Sequence, residues 1–340
     1  MNKLPLIKPL IKTNVFDQCF IASITDNSRD VHKNSLFVAR QGAESHGKGF
    51  IKEAVKKGAS CIISDQELNE EIDIPIYCIN NLEDMVVEIL FRFHELSEDD
   101  FIFHGVTGTN GKTTTAFMAH NIMRKLQKPS VYIGTLGAII DDDLMQTKGN
   151  TTPGIFELFE ILQTCKPKQI TYVFLEISSH ALVQKRLCNL PFLQTIILNI
   201  QSDHLDYHKT ETNYIDAKLS IANLNNQNST IISIDQMQDL LPRLSEVQKD
   251  QLSKTQFLSA KNPSALFKYS FVYNPEGQSR INLDFPSLAL EASVSLFLKF
   301  NIENYISAIA LISEHVDSNN LNKINRAAIK MPQGRGEILR

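Results

Sequence analysis

The sequence predicts an α/β protein in which a small α/β domain precedes a larger, doubly wound and mostly parallel central domain. Three observations carry that expectation. The apolar runs at residues 172–177 and 195–200 are continuous rather than alternating, as in strands buried on both faces of a parallel sheet. A further run at 101–106 ends in a glycine loop that opens onto a helical pattern. The charged stretch Ser97-Glu98-Asp99-Asp100 separates this region from a shorter one before it.

Before the break, residues 36–39 and 61–64 read as strands around a helix at 50–57. A short apolar run at 74–79 then leads into a helical pattern over 82–96. After the break, strands at 101–106, 130–133, 172–177, 195–200 and 230–234 alternate with helices at 113–126, 155–164 and 213–224. That order places ligands at the carboxyl ends of the strands. Residues 255–298 are less regular, with short strands at 268–273 and 280–285, and 302–315 is a last helix.

The 340 residues are 43% apolar and 21% charged, which excludes disordered, collagen-like and low-complexity chains. Lys+Arg 34 against Asp+Glu 38 leaves a net charge of −4. No basic excess tracks a phosphate backbone, so a nucleic-acid partner is not expected. No apolar run is long enough to cross a bilayer, and residues 1–12 interleave Leu and Ile with Lys and Pro, unlike a signal peptide. The expectation is a soluble, cytoplasmic, monomeric chain with no membrane partner. Its five cysteines lack C-x-x-C spacing and read as reduced thiols packed as small hydrophobes.

Four stretches carry chemistry. Gly105-Val106-Thr107-Gly108-Thr109-Asn110-Gly111-Lys112-Thr113-Thr114 lies between an apolar strand and a helix, where backbone N–H groups and the helix end attract phosphates. There Lys112 would neutralise phosphate charge and the Thr113 hydroxyl would hold Mg²⁺. Strict spacing wants a glycine where Val106 stands, so the generic motif fails by one position while the setting is met. Glu176 ends the next apolar run at the same rim, either salt-bridged or bound to metal. Asp203-His204-Leu205-Asp206-Tyr207-His208 follows the next run, either as a solvated turn or as ligands for a hard divalent ion. Lys218 falls on the buried stripe of Tyr214, Ala217, Ile221 and Leu224, where it snorkels to water or meets an anionic partner.

Together these pieces resemble the Mur ligase family, most closely its UDP-N-acetylmuramoyl-tripeptide synthetase branch. G-T-N-G-K-T-T, E-I-S-S-H, D-H-L-D-Y-H and the later A-K fall in the family's order. Further stretches are similar to it: Asn27-Ser28-Arg29 with Leu36-Phe37-Val38-Ala39, Asn150-Thr151-Thr152-Pro153, Gln184-Lys185-Arg186, Phe300-Asn301-Ile302-Glu303-Asn304 and Gly334-Arg335-Gly336-Glu337. The resemblance implies a uridine-binding first domain over 1–98, an ATP-binding domain of phosphate-loop type over 99–332, and the start of a linker at 333–340. On the resemblance, the family's C-terminal Rossmann-like domain is expected to be missing from these 340 residues.

The same resemblance implies ATP-dependent amide-bond formation. A diamino acid, meso-diaminopimelate or L-lysine, would join UDP-MurNAc-L-Ala-D-Glu through an acyl phosphate. Lys112, Glu176, His204 and Lys218 would be catalytic. Gly108, Thr109, Asn110, Gly111, Lys112, Thr113, Thr114, Asn304 and Arg335 would bind ATP. Ser28 would meet the uridine end, and Asn150, Thr151, Thr152, Ser178, Gln184 and Arg186 the muramoyl-peptide. Thr113, Glu176, His204 and Lys218, the last as a carbamate, would hold Mg²⁺. Two departures stand out: His46-Gly47 replaces the family's Asp-Gly, and Gln236 stands where a second Asp is usual. Two rivals differ in class, a folate-type polyglutamate ligase and a non-catalytic module that binds the nucleotide sugar and ATP.

Overall fold

The structure, a computed structural model, describes residues 1–11, 16–42, 45–67, 71–224, 229–296, 298–325 and 331–332. Its contacts divide the chain into two compact units. The first comprises Met1–Asp100 and two later returns, Gly154–Lys166 and Gln184–Leu190. The second comprises Phe101–Pro153, Pro167–Val183 and Pro191–Arg340. Neither return breaks the hydrophobic pattern around it, so the sequence-based boundaries after residues 98 and 332 do not register them.

In the first unit, α1 (Leu4–Ile11) buries Leu4, Ile7 and Ile11, a stripe at helical spacing. Strands β1 (Ser23–Thr25), β2 (Ser35–Ala39), β3 (Ala59–Ser64) and β4 (Ile76–Cys78) form a parallel sheet in that order. Every residue of β2 is buried, as a continuous apolar run requires. Helix α2 (Ile51–Lys57) returns the chain from β2 to β3, and α3 (Leu82–Phe93) packs on α1 and on the later helix Ile155–Cys165. Ahead of α2, His46 replaces the family's aspartate without losing a cap. Its Nδ1 accepts the Lys48 N–H at 2.9 Å, and Nε2 meets Asp65 at 2.5 Å.

The second unit is built on an eleven-stranded sheet. Its elements run β5 (Ile102–Thr107), α4 (Lys112–Lys125), β6 (Ser130–Gly134), β7 (Gly137–Ile140), β8 (Asp143–Met145), α5 (Ile155–Cys165, the helix of the first unit), β9 (Tyr172–Glu176) and α6 (Ser179–Val183). Then follow β10 (Phe192–Ile197), α7 (Leu205–His208), α8 (Glu211–Leu219), β11 (Thr230–Ser233), α9 (Glu246–Ser253) and β12 (Gln256–Ser259). The last are β13 (Phe267–Val272), β14 (Ser279–Phe285), β15 (Leu288–Val294), α10 (Lys299–Ile312) and α11 (Ser318–Asn325). The strand order is β15-β14-β13-β12-β11-β10-β5-β9-β6-β7-β8. It is parallel from β13 to β6 and antiparallel at both ends. From β5 the chain moves to β6, two places away on one side, and later returns to β9 between them, whereas from β10 it moves to β11 on the other side. The loops after β5 and β10 therefore part at a switch point, where α/β folds bind ligands.

The strand expected over 195–200 is displaced to Phe192–Ile197. Leu198 and Asn199 leave the ladder for the loop after β5, with the Leu198 N–H donating to Thr107 O at 3.0 Å and the Thr109 N–H to Asn199 O at 3.0 Å. In the irregular stretch, β15 alternates buried Leu288, Leu290, Ala292 and Val294 with exposed residues, a period-two pattern that the sequence reading passed over.

His104, in the middle of β5, is fully buried. It stacks on Phe174 at 5.0 Å and meets His315 edge-on at 5.2 Å, and neither ring nitrogen reaches a well-formed hydrogen bond among the described residues, the Ile102 backbone offering only a weak contact that opposes the shift. Burial and the neighbouring His315 push its pKa down to about 3. Below the ordinary histidine value the unfolded chain takes up a proton that the folded chain refuses. Stability should therefore fall as pH drops through 6.5, by about 1.4 kcal/mol per pH unit until the folded pKa is reached. Urea midpoints between pH 7 and 4.5 should drop less in His104→Leu than in the wild type. Parallel pH profiles would refute this assignment.

Candidate active site

The loop after β5 is clamped from the loop after β10. Asn199 Oδ1 accepts the Asn110 N–H at 2.9 Å, and Asn199 Nδ2 donates to Asn110 O at 3.1 Å. The Gln201 N–H donates to Thr109 Oγ1 at 2.9 Å, and that hydroxyl also meets the Tyr214 hydroxyl at 2.9 Å. The backbone N–H groups of Thr109 and Asn110 are thus both spent on Asn199 of the neighbouring loop. Those of Lys112, Thr113 and Thr114 lie in the first turn of α4 and have no intrahelical acceptor, which suits them to an anion. Gly111 has a φ of 88°. A β-carbon there would lie 2.5 Å from Asn304 Oδ1, so the position needs glycine twice over. Lys112 Nζ donates to the carbonyls of Gly108 at 2.8 Å and Thr109 at 3.1 Å.

Glu176 closes β9 opposite Val106 of β5, beside this loop. Its carboxylate is fully buried and accepts from Thr113 Oγ1 at 3.0 Å, the Thr135 N–H at 3.0 Å, Thr135 Oγ1 at 3.2 Å and the Tyr132 hydroxyl. Among the described residues no cationic side chain forms an ion pair with it. The salt-bridged strand end is therefore not what the structure holds. A buried anion met only by neutral donors lacks a counter-charge, and hydroxyl plus carboxylate oxygens suit a hard cation such as Mg²⁺. The 150–153 loop reaches the same place. Thr152 Oγ1 donates to Glu176 O at 2.8 Å and accepts the Ser178 N–H at 2.9 Å. The Thr151 and Thr135 hydroxyls lie 3.3 Å apart, and since the Thr135 proton goes to Glu176, Thr151 is the donor of that pair. Thr113, Thr151, Thr152, Glu176 and Ser178 thus meet in one hydrogen-bonded group.

A β-carbon on Gly134 would collide with the Glu176 carboxylate. Gly134→Ala should destabilise the chain by roughly 1–3 kcal/mol, as overpacking does, and displace the carboxylate. Urea unfolding and Mg²⁺-dependent nucleotide binding test this; unchanged Mg²⁺ dependence would count against Glu176 as a metal ligand.

His204 caps α7 with a φ of 51°, half exposed, its Nε2 3.5 Å from Asp203. Its ring lies 5.1 Å from that of His180 and 6.5 Å from that of Tyr214. His208, by contrast, is buried and bonded to Ser179 Oγ at 2.9 Å. Lys218 on α8 is 1% exposed, with its ammonium 5.0 Å from the Tyr214 ring centroid. It does not snorkel. Burial, reinforced by the charge of Lys112, moves its pKa well below the usual lysine range, while Asp203 opposes the shift. Among the described residues no three His, Cys, Asp or Glu side chains form a metal-binding group, so His204 and Glu176 do not already share one.

Asn304 on α10 lies at the foot of the phosphate loop and accepts from Thr115 Oγ1 at 3.4 Å. Asn150 lies exposed at the start of its loop. Arg335 lies outside the described residues. In the first unit, Ser28 is buried, its hydroxyl donating to Glu53 Oε2 at 2.8 Å. Arg186 Nε donates to Gln184 Oε1 at 2.7 Å within the 184–190 turn. Sequence reasoning assigned no role to Asn199, Gln201, Tyr132 or Thr135. Asn199 and Gln201 stand just beyond a strand end, and Tyr132 and Thr135 bracket the end of β6, which are the positions a parallel sheet brings to its rim.

Residues 106–312 match the Mur ligase middle domain, and residues 20–89 match the Mur ligase family catalytic domain. The UDP-N-acetylmuramoyl-L-alanyl-D-glutamate–2,6-diaminopimelate ligase of Cytophaga hutchinsonii is 35% identical over 218 residues, covering 63% of this chain and 45% of that protein. The ligase of the same name from Clostridium tetani is 29% identical over 327 residues, covering 94% of this chain and 64% of its own length. The chain thus spans about half to two-thirds of these curated relatives. A solved structure of a ligase with that name superposes over the whole chain and 69% of its own with a TM-score of 0.73 at 24% identity, a likeness of fold. With the middle-domain match alone spanning more than half of its residues, this chain belongs to the Mur ligase family.

Proposed function

We propose that the chain handles ATP and an acidic UDP-sugar peptide in an ATP-dependent ligase that adds a diamino acid to UDP-MurNAc-L-Ala-D-Glu. One observation carries this reading. The Thr113–Glu176 bond and the Thr152–Glu176–Ser178 bonds tie the phosphate loop directly to the 150–153 loop. A terminal phosphoryl group and an acceptor held by these two loops would share one rim. A carboxylate does not condense with an amine in water. It first takes the γ-phosphoryl group, releasing ADP, and the amine then attacks the acyl carbon, losing a proton and expelling phosphate.

For that first step two anions must approach, so the site must supply cationic charge and fixed donors. Lys112 and the first-turn N–H groups of α4 hold the triphosphate. Thr151, Thr152 and Ser178 orient the muramoyl-peptide, with Ser28, Asn150, Gln184 and Arg186 assigned to its other parts by the family likeness, and Asn304 with Arg335 to ATP. Glu176 and Thr113 would hold Mg²⁺, with His204 and Lys218 about a second ion; bound there, Mg²⁺ would supply cationic charge between the two anions. Lys218 would serve as a carbamate, which only an uncharged amine can form, and its depressed pKa provides that amine. A cytoplasmic location fits a nucleotide-sugar substrate, and no helix among the described residues is long and apolar enough to cross a membrane.

Calorimetric titration of the chain with UDP-MurNAc-L-Ala-D-Glu, ATP and a reduced folate tests the reading. Binding of the first two and not the third is expected. Folate binding without UDP-MurNAc-dipeptide binding would favour the polyglutamate ligase instead. Binding of both nucleotides without transfer of the γ-phosphoryl group would favour the non-catalytic module.

A further inference from the structure

A buried guanidinium in the first unit joins segments that are far apart in sequence. Arg40, at the end of β2 and 8% exposed, donates through Nε to Asp26 at 3.0 Å and through NH1 to Glu83 of α3 at 3.0 and 3.1 Å. The same NH1 meets Cys188 Sγ at 3.5 Å, and the guanidinium carbon lies 5.8 Å from the ring centroid of Phe156 on α5. The Cys188 thiol in turn donates to Glu83 Oε1 at 3.4 Å. Burial, aided by Glu83 and Asp26 against Arg40, pushes its pKa up to about 12, so it stays a thiol and keeps that bond.

The segment held this way is unusual in its backbone. Lys185 and Cys188 both have positive φ, 49° and 47°, a conformation that side chains other than glycine adopt only when neighbours impose it. Three ties impose it here. Leu187 and Leu190 are buried, Cys188 is bonded to both Arg40 and Glu83, and Asn189 Nδ2 donates to Asp84 Oδ1 at 3.1 Å. The turn carries Gln184 and Arg186, bonded to each other. Arg40 is itself too deeply buried to offer its charge to a solute.

We infer that Arg40 is a positioning residue for substrate binding: through Cys188 and Glu83 it fixes the 184–190 turn, and with it Gln184 and Arg186, in the conformation that receives an anionic substrate. Its effect on substrate rests on the assignment of Gln184 and Arg186 proposed above, whereas its hold on the turn does not. A lysine cannot replace it, because one ammonium cannot reach Asp26, Glu83 and Cys188 together.

Two measurements on Arg40→Met, Arg40→Lys, Arg186→Ala and the Arg40→Met/Arg186→Ala double variant test this. The first, alkylation of Cys188 by N-ethylmaleimide followed by mass spectrometry, needs no ligand. Arg40→Met should speed it about tenfold or more, and Arg40→Lys, which keeps a cation beside the two carboxylates and so preserves the fold, by less. The second is the Kd for UDP-MurNAc-L-Ala-D-Glu, expected to rise about tenfold in Arg40→Met with the ATP Kd unchanged. Arg40→Met should add nothing in the Arg186→Ala background, since it acts through that side chain. Unchanged Cys188 protection in both Arg40 variants, or an equal loss of affinity in both backgrounds, would overturn the inference. A wild type that does not bind the dipeptide nucleotide, yet whose Cys188 is freed by Arg40→Met, would overturn the substrate assignment and the positioning role while leaving the hold on the turn.

Discussion

Lys112→Ala should lose ATP binding and phosphoryl transfer by roughly 10²–10³-fold, the range seen when one preorganised donor is removed from a reacting centre, while the chain stays folded. The geometry separates the two effects. Lys112 is only half-buried, and its folded-state bonds are to two loop carbonyls, Gly108 and Thr109. The loop keeps its shape through other atoms, the Asn199 and Gln201 clamps and the Thr109–Tyr214 bond. Losing the ammonium therefore removes charge from the candidate phosphate site while these clamps keep the loop in place. A second consequence follows. Lys112 is one of the causes that hold the Lys218 amine below its usual pKa, so Lys112→Ala should shift Lys218 back toward the protonated form. Nucleotide titration, unfolding curves and a proton-linked probe of Lys218 check the three parts. ATP affinity equal to wild type would remove the phosphate-loop assignment.

The parallel core was legible because its signal is local. Strands buried on both faces are largely apolar, so β9 was plain and the second half of β10 was caught, while its first half, with Gln194 and an exposed Leu193, was not; the strand–glycine loop–helix order marked the candidate phosphate loop. What stayed hidden depends on contacts made at a distance. Asn199 reads as part of a strand until the Asn110 backbone arrives to bind it. Glu176 could be read as salt-bridged or metal-bound, and only the surrounding hydroxyls of Thr113, Tyr132 and Thr135 decide against the salt bridge. Gly134 looks like an ordinary strand end until the carboxylate it must clear is in place. The returns at 154–166 and 184–190 are invisible for the same reason, because nothing in their composition differs from that of their neighbours. Lys218 lies between these cases. Helical spacing aimed it inward, and the structure buried it.

Lys218 gives the other large effect, which follows from the charge of its surroundings. An ammonium at 1% exposure, with no carboxylate in ion-pair range among the described residues, is costly, and burial drives it toward the neutral amine. Burial alone would penalise a carbamate anion equally. The nearby charge does not act equally. Lys112 repels a cation at Lys218 and attracts an anion there. In the proposed carbamate the amine would attack CO₂ through its lone pair, forming a C–N bond and losing a proton to solvent, and so would place an anion where its neighbour favours one. Because only the free amine reacts, the carbamate should be lost as pH falls below the depressed amine pKa. Lys218→Met, of similar volume, should leave stability unchanged or slightly raised, since no charge need be buried, yet abolish Mg²⁺-dependent phosphoryl transfer. Lys218→Ala leaves room for a short carboxylate, so added acetate or formate should restore part of its activity. A carbon-13 spectrum of protein equilibrated with labelled bicarbonate should show one carbamate signal that both variants lack. A plain amine at Lys218, with full activity in bicarbonate-free buffer, would leave the residue a neutral packing lysine and no more.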